Sequence, residues 1–163
     1  PVSINLSRAS LYYADIVEKY QAILEEYHVN PDFIQLEITE SVMEGKSDIR
    51  GLLESFRKIG IRILMDDFGT GYSSLSLLPI IPFNTLKIDK SFVDRIGKSN
   101  EYTKSCAVVK QIIALAKDLN MRCLAEGAEN KEQVDLLRDF GCEIVQGYYY
   151  SKPLPVEEYE KLL

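Results

Sequence analysis

Six apolar, strand-like runs recur along this chain, and each closes on polar or acidic residues. They are VSINLS (Val2 to Ser7), FIQLEITES (Phe33 to Ser41), IRILMDDFGTG (Ile61 to Gly71), TLKIDKS (Thr85 to Ser91), MRCLAEGAE (Met121 to Glu129) and EIVQGYYYS (Glu143 to Ser151). Helix-like stretches separate most of them. Strand and helix in alternation make βα units on a parallel sheet or barrel, where reactive groups collect at the carboxyl ends of the strands. Within the runs the period is two: Val2, Ile4 and Leu6 alternate with Ser3, Asn5 and Ser7, Ile34, Leu36 and Ile38 with Gln35, Glu37 and Thr39, and Leu86 and Ile88 with Lys87 and Asp89. With the apolar sets against helices, the polar sets face a barrel interior. Such interiors are ordinarily Val, Ile and Leu, and an unpaired buried carboxylate costs several kcal/mol. Inward Glu37 and Lys87 therefore require a polar pocket.

Between the runs, Leu11, Ile16, Tyr20, Ile23, Leu24 and Tyr27 keep a helical period, with Ser7 as the expected N-cap and Asn30-Pro31 as the stop. Asp48 is placed to cap a helix with the stripe Ile49, Leu52, Leu53, Phe56 and Ile59, ended by Gly60. A third helix carries Val108, Val109, Ile112, Ile113, Leu115, Ala116 and Leu119, and a fourth, KEQVDLLRDF, stops at Gly141. No linker interrupts the series, so residues 1–163 read as a single domain. Pro1 leads almost directly into a strand, as expected of a piece excised from a longer protein.

A formal charge of −6 and a pI near 4.9 remove the basic field that a nucleic acid polymer or an anionic membrane selects. No apolar run approaches the roughly 20 residues of a membrane span, and the start lacks a signal peptide's regions. A cytoplasmic chain without membrane contact of its own is expected, in a parent that upstream segments could anchor. Cys106, Cys123 and Cys142 are far apart and odd in number, which reads as buried free thiols. The one histidine, His28, reads as a solvated helix-end residue and leaves little material for histidine metal sites or Ser-His triads.

Asn5, Glu37, Asp66, Lys87, Glu126 and Gln146 all fall at strand ends, on one rim. Carboxylates about 5 Å apart repel by roughly 3 kcal/mol at an effective dielectric near 20, and divalent cations relieve this. Oxygen donors without His or Cys suit Mg2+ or Mn2+ better than zinc. Asp66 and Asp67 would point to opposite faces of a regular strand. Both reach one site if the strand ends there, which Gly69 and Gly71 permit. Carboxylates shared between two metals are a common device for phosphoester hydrolysis. Taken singly, Asp-Asp before Phe-Gly reads as a turn, Lys87 as a solvated cation and EGAEN as a capped helix start. Without a catalytic-loop H-R-D or a glycine-rich loop, DFG is no kinase signature.

In order and spacing, VSINLS, LEITES, DDFGTGYSSL, LKIDKSFV, AEGAEN and QGYYYSKPLP resemble the later motifs of the EAL family of cyclic di-GMP phosphodiesterases, through essentially the whole chain. The resemblance implies an α/β fold, a modified TIM (β/α)8 barrel present here as an incomplete barrel with about six of its strands. It implies a bacterial signalling enzyme that linearises cyclic di-GMP to pGpG at a two-metal site holding Mg2+ or Mn2+. By position, Asn5, Glu37 and Asp66 would hold one metal, and Asp66, Asp67 and Glu126 the second. Lys87, Glu126 and Asp67 would be catalytic, Lys87 orienting or helping to activate the attacking water and Glu126 serving as general base. Gln146, Asp89 and Pro153 would meet the substrate, Pro153 in a stretch near the guanine pocket. Glu40 would anchor the loop of Gly69, Thr70 and Gly71, which the resemblance links to dimer contacts.

Ala128 stands where the family has Val, Asn130 where it has Thr, and the Glu-Ala-Leu segment with its metal-binding Glu occurs nowhere in these residues and is expected upstream. Open edges at VSINLS and EIVQGYY would invite pairing, so a homodimer through those edges or through the DFGTGYSSL loop is expected. Two other function classes remain open: an inactive EAL domain serving as a cyclic di-GMP receptor, and a protein-interaction module without the nucleotide.

Overall fold

The structure, a computed structural model, describes residues 1–39, 42, 49–69, 74–96 and 102–162. The six strands are β1 (Val2–Asn5), β2 (Ile34–Thr39), β3 (Arg62–Phe68), β4 (Thr85–Ile88), β5 (Arg122–Ala125) and β6 (Ile144–Val145), and each falls inside one of the six runs. All pairings are parallel, and the order in the sheet is the order in the chain. Parallel crossovers are right-handed, so consecutive order places every helix on the same face and curls the sheet one way. The result is a six-stranded half-barrel, with α1 (Ile16–Glu26), α2 (Ile49–Lys58), α3 (Ser74–Leu77), α4 (Lys90–Val93), α5 (Tyr102–Asp118), α6 (Lys131–Asp139) and α7 (Val156–Tyr159).

The two faces divide as the period predicts. Leu36, Ile38, Ile63, Met65, Leu86 and Ile88 join one apolar core with helix residues such as Leu53, Phe56, Val109 and Leu137. Gln35, Glu37, Leu64, Asp66, Thr85 and Lys87 are buried in the alternate positions of the same strands. In register, Glu37 stands beside Leu64 and Leu64 beside Thr85, while Lys87 stands beside Leu124 one row nearer the carboxyl ends.

Two expectations are corrected. Val2 and Ile4, assigned to the helix-facing side, are 54% and 37% exposed, because β1 is an edge strand with a neighbour on one flank only. The stretch from Leu11 to Tyr27 is also not one helix: a 3-10 turn, Ser10–Tyr12, precedes α1. Ser7 is the N-cap of neither: its hydroxyl oxygen accepts from the Ser10 N–H at 3.1 Å, while Ala9 stands at the start of the turn and Asp15 at the start of α1. The expected Asp48 cap lies outside the described residues. His28 is exposed in the left-handed region just past α1, as a helix-end residue should be, and all three cysteines are free and buried. Among the described residues no helix is long and apolar enough to cross a membrane.

Gly147, just after β6, lies directly on the backbone of Ala128, whose N–H donates to the Gln146 carbonyl at 3.1 Å and whose carbonyl accepts from Tyr149 at 3.0 Å. A Cβ at Gly147 would overlap the Ala128 carbonyl, which unlike a side chain cannot swing away. Gly147→Ala should therefore lower stability by about 1–3 kcal/mol, a drop in melting temperature of roughly 3–10 °C. An unchanged melting curve would rule out this close approach.

Candidate active site

Every polar residue of the rim sits at or just past the carboxyl end of a strand: Asn5 closes β1, Glu37 and Asp66 lie near the ends of β2 and β3, Lys87 is next to last in β4, and Glu126 and Gln146 follow β5 and β6. At the centre is Lys87, with its side chain 7% exposed. Its Nζ lies 2.6 Å from Glu126 Oε1, 3.1 Å from Glu37 Oε1 and 3.1 Å from Asp66 Oδ1. One cation thus ties together three strands and the turn after a fourth.

Burial alone would depress the Lys87 pKa, but the Glu126 hydrogen bond and the charges of Glu126, Asp66 and Glu37 outweigh it and raise the value. Lys87 is an ammonium at neutral pH. Glu126 rises as well, chiefly through burial, with Asp66 and Glu37 adding repulsion and Lys87 opposing.

Asp66 and Asp67 reach the same site by a route different from the one expected. The strand does not end at them; it runs on to Phe68, and the register with β4 slips between Met65 and Phe68. This β-bulge leaves Asp67 in the left-handed region at φ 54°, with its N–H donating to Asp66 Oδ1 at 3.0 Å. The kink re-aims the second carboxylate, a device found beside active sites. Asp66, Asp67 and Glu126 each offer an oxygen within 4.8 Å of the others.

Burial, then the charges of Asp66 and Asp89, raise the Asp67 pKa. A carboxyl whose folded pKa is raised favours the fold while protonated. That contribution is full below the ordinary value near 4 and is lost as pH rises through the folded value. Asp67→Gly removes both this term and the left-handed strain of a non-glycine residue, about 1 kcal/mol. The metal-free variant should melt about 2–4 °C above the parent at pH 7, with a smaller gain at pH 4; a loss of stability at pH 7 would contradict the bulge.

The remaining expected residues fall in several places. Asn5 is exposed and stands beside Glu37 in register. Gln146 shares with Glu126 the wall of a cavity of about 240 Å3. Pro153 lines an adjoining groove of about 490 Å3, with Tyr148 and Tyr150 among its walls. Asp89 uses one oxygen to cap α4, accepting from the Ser91 N–H at 3.0 Å. Glu40, Thr70 and Gly71 lie outside the described residues, while Gly69 packs under the Phe92 ring. Sequence reasoning missed how the Glu126 turn is held. Lys90 Nζ donates to Glu129 Oε1 at 2.6 Å and Asp94 Oδ1 at 2.8 Å, bonds that push its pKa up to about 12. Asn130 and Gln133 form a capping box on α6, legible in hindsight from their three-residue spacing.

The donor set fits a hard divalent cation: carboxylate oxygens, no sulfur or imidazole, and negative charge in excess. Glu37, Asp66, Asp67 and Glu126 against Lys87 leave three negative charges uncompensated when all are ionised.

A family model described as EAL domain matches residues 1–153. Cyclic di-GMP phosphodiesterase NbdA of Pseudomonas aeruginosa is 37% identical over 163 residues, covering 99% of this chain and 20% of that protein. The crystal structure of the EAL domain of Mycobacterium smegmatis DcpA superposes with a TM-score of 0.90 at 38% identity, covering 99% of this chain and 71% of that one. Klebsiella pneumoniae BlrP1, solved as a manganese and cyclic di-GMP complex, superposes with a TM-score of 0.83 at 31% identity, over 93% of this chain and 38% of that one. This chain spans about a fifth of the length of curated relatives such as NbdA.

Proposed function

The chain belongs to the EAL domain family, and from that premise we propose that the protein carrying it is a metal-dependent phosphodiesterase that opens cyclic di-GMP to pGpG. The observation that carries the reading is Lys87 clamped among Glu37, Asp66 and Glu126, beside an Asp66, Asp67 and Glu126 cluster with an oxygen of each within 4.8 Å. Two divalent cations would outweigh the three uncompensated charges by one, and a single phosphodiester would then bring the site to neutrality. Asp66, Asp67 and Glu126 would hold one cation, and Asn5, Glu37 and Asp66 would contribute to the other.

When bound, Mg2+ or Mn2+ supplies polarisation of the phosphoryl group and a lowered pKa for water. The chain's own residues do the rest. Lys87, held charged, donates to the attacking water or to a phosphoryl oxygen and accepts no proton. Glu126, with its raised pKa and its oxygen on Lys87, takes the proton as the water oxygen bonds to phosphorus. The P–O3′ bond breaks, the 3′ oxygen leaves and takes a proton from solvent water, and the phosphate remains on the 5′ side. Gln146 and the groove at Tyr148, Tyr150 and Pro153 would receive a guanine, aromatic faces being suited to stacking.

Incubation of the protein, with this segment in its natural sequence context, with cyclic di-GMP and Mn2+ should yield pGpG by chromatography. Tight binding without turnover would replace this reading with a receptor, and absence of binding would replace it with an interaction module.

A further inference from the structure

We propose that Lys90 is a positioning residue for Glu126, an inference that rests on the phosphodiesterase reading. Glu37, Asp66 and Asp67 lie within strands, whereas Glu126 sits one residue past β5, its N–H donating to the Ile88 carbonyl of β4 at 3.1 Å, at the head of the turn that runs to Glu129. Its side chain is 23% exposed, against 9% for Glu37 and 11% for Asp66. Lys87 holds the Glu126 carboxylate at its tip, and the turn sets where its backbone lies beyond the strand.

The turn is stapled to α4 at two points. Gly127 adopts φ 75°, and the stem of Lys90 fills the space where a Cβ at Gly127 would be. Beyond that contact, Lys90 Nζ reaches Glu129 Oε1 at 2.6 Å while bracing against Asp94 Oδ1 at 2.8 Å. The second staple is Gln133: its Oε1 accepts from the Glu129 N–H at 2.8 Å, and its Nε2 donates to the Val93 carbonyl at 3.1 Å. Helix α4 starts three residues after Lys87, and Asp89 caps it. Lys90 thus links the segment that carries Lys87 to the turn that carries Glu126, and the two site residues meet at 2.6 Å.

Magnitudes separate this role from a merely structural one. The Lys90 and Glu129 side chains are 45% and 51% exposed, and ion pairs this open contribute little to global stability. Groups that orient a metal ligand from behind, by contrast, typically change metal affinity or activity 10- to 100-fold when removed. Lys90→Met keeps the stem against Gly127 and removes the ammonium.

The test is an electron paramagnetic resonance titration of the full chain with Mn2+, paired with crystal structures of the parent and Lys90→Met. Lys90→Met should weaken Mn2+ binding about 10-fold, move the melting temperature by no more than about 3 °C, and break the Glu126–Lys87 contact in the crystal. Lys90→Arg should return the affinity to within a few-fold of the parent. Unchanged affinity with Glu126 still on Lys87 would overturn the positioning role, as would a large stability loss with the contact intact. If the parent itself binds no Mn2+, the metal-dependent reading fails, and the Glu126–Lys87 contact in the two crystals decides the positioning role by itself.

Discussion

Replacing Lys87 by methionine should destabilise the metal-free chain by about 3–5 kcal/mol, because it removes the one buried cation shared by Glu37, Asp66 and Glu126 and leaves their charges uncompensated. For a chain of this length that is a fall in melting temperature of about 6–20 °C. The dependence on conditions is as diagnostic as the size. Carboxylates left without a partner are relieved by protonation, so the loss should shrink as pH falls toward 4. They are also relieved by a divalent cation, so Mn2+ should recover part of the stability at pH 7. A methionine variant as stable as the parent, with no response to pH or Mn2+, would mean that Lys87 is not the countercharge.

Asp66→Asn should have the opposite profile. Asp66 accepts from Lys87 and from the Asp67 N–H, and asparagine's carbonyl oxygen can keep both bonds while the negative charge is lost. In a site with too many carboxylates this leaves metal-free stability within about 1 kcal/mol of the parent. Phosphodiesterase activity should fall on the order of 10³-fold or more, since several kcal/mol of transition-state charge stabilisation would go with the cations that Asp66 would help to hold. Kinetics at saturating Mn2+ together with thermal melts of the same preparation check both halves. Activity within tenfold of the parent would remove Asp66 from the metal site.

Much of this architecture was legible because it is written in short periods. Alternation in FIQLEITE and TLKIDKS depends only on the pleat, so the split between a core face with Leu36 and Ile88 and a polar face with Glu37 and Lys87 could be read without coordinates. The open edge at VSINLS was expected, but its effect on burial was not legible, because Val2 and Ile4 alternate like any helix-facing pair and differ only in lacking a neighbour on one side. The bulge at Asp66 and Asp67 was also hidden. A two-Asp sequence does not say whether a strand stops or kinks, and Phe68, paired with Ile88, is what extends the strand. The Lys90 staple joins residues 39 positions apart, and no local pattern announces such a pair. By contrast, the Asn130 and Gln133 box was available from spacing alone.

Anomalous diffraction from a crystal grown with Mn2+ and cyclic di-GMP tests the central claim most directly, because it locates the cation without reference to activity. The account predicts a manganese peak about 2 Å from carboxylate oxygens of Asp66, Asp67 and Glu126, with Lys87 Nζ turned toward the scissile phosphate. A folded crystal soaked to saturation with no peak among these carboxylates, or with the peak elsewhere, would contradict it.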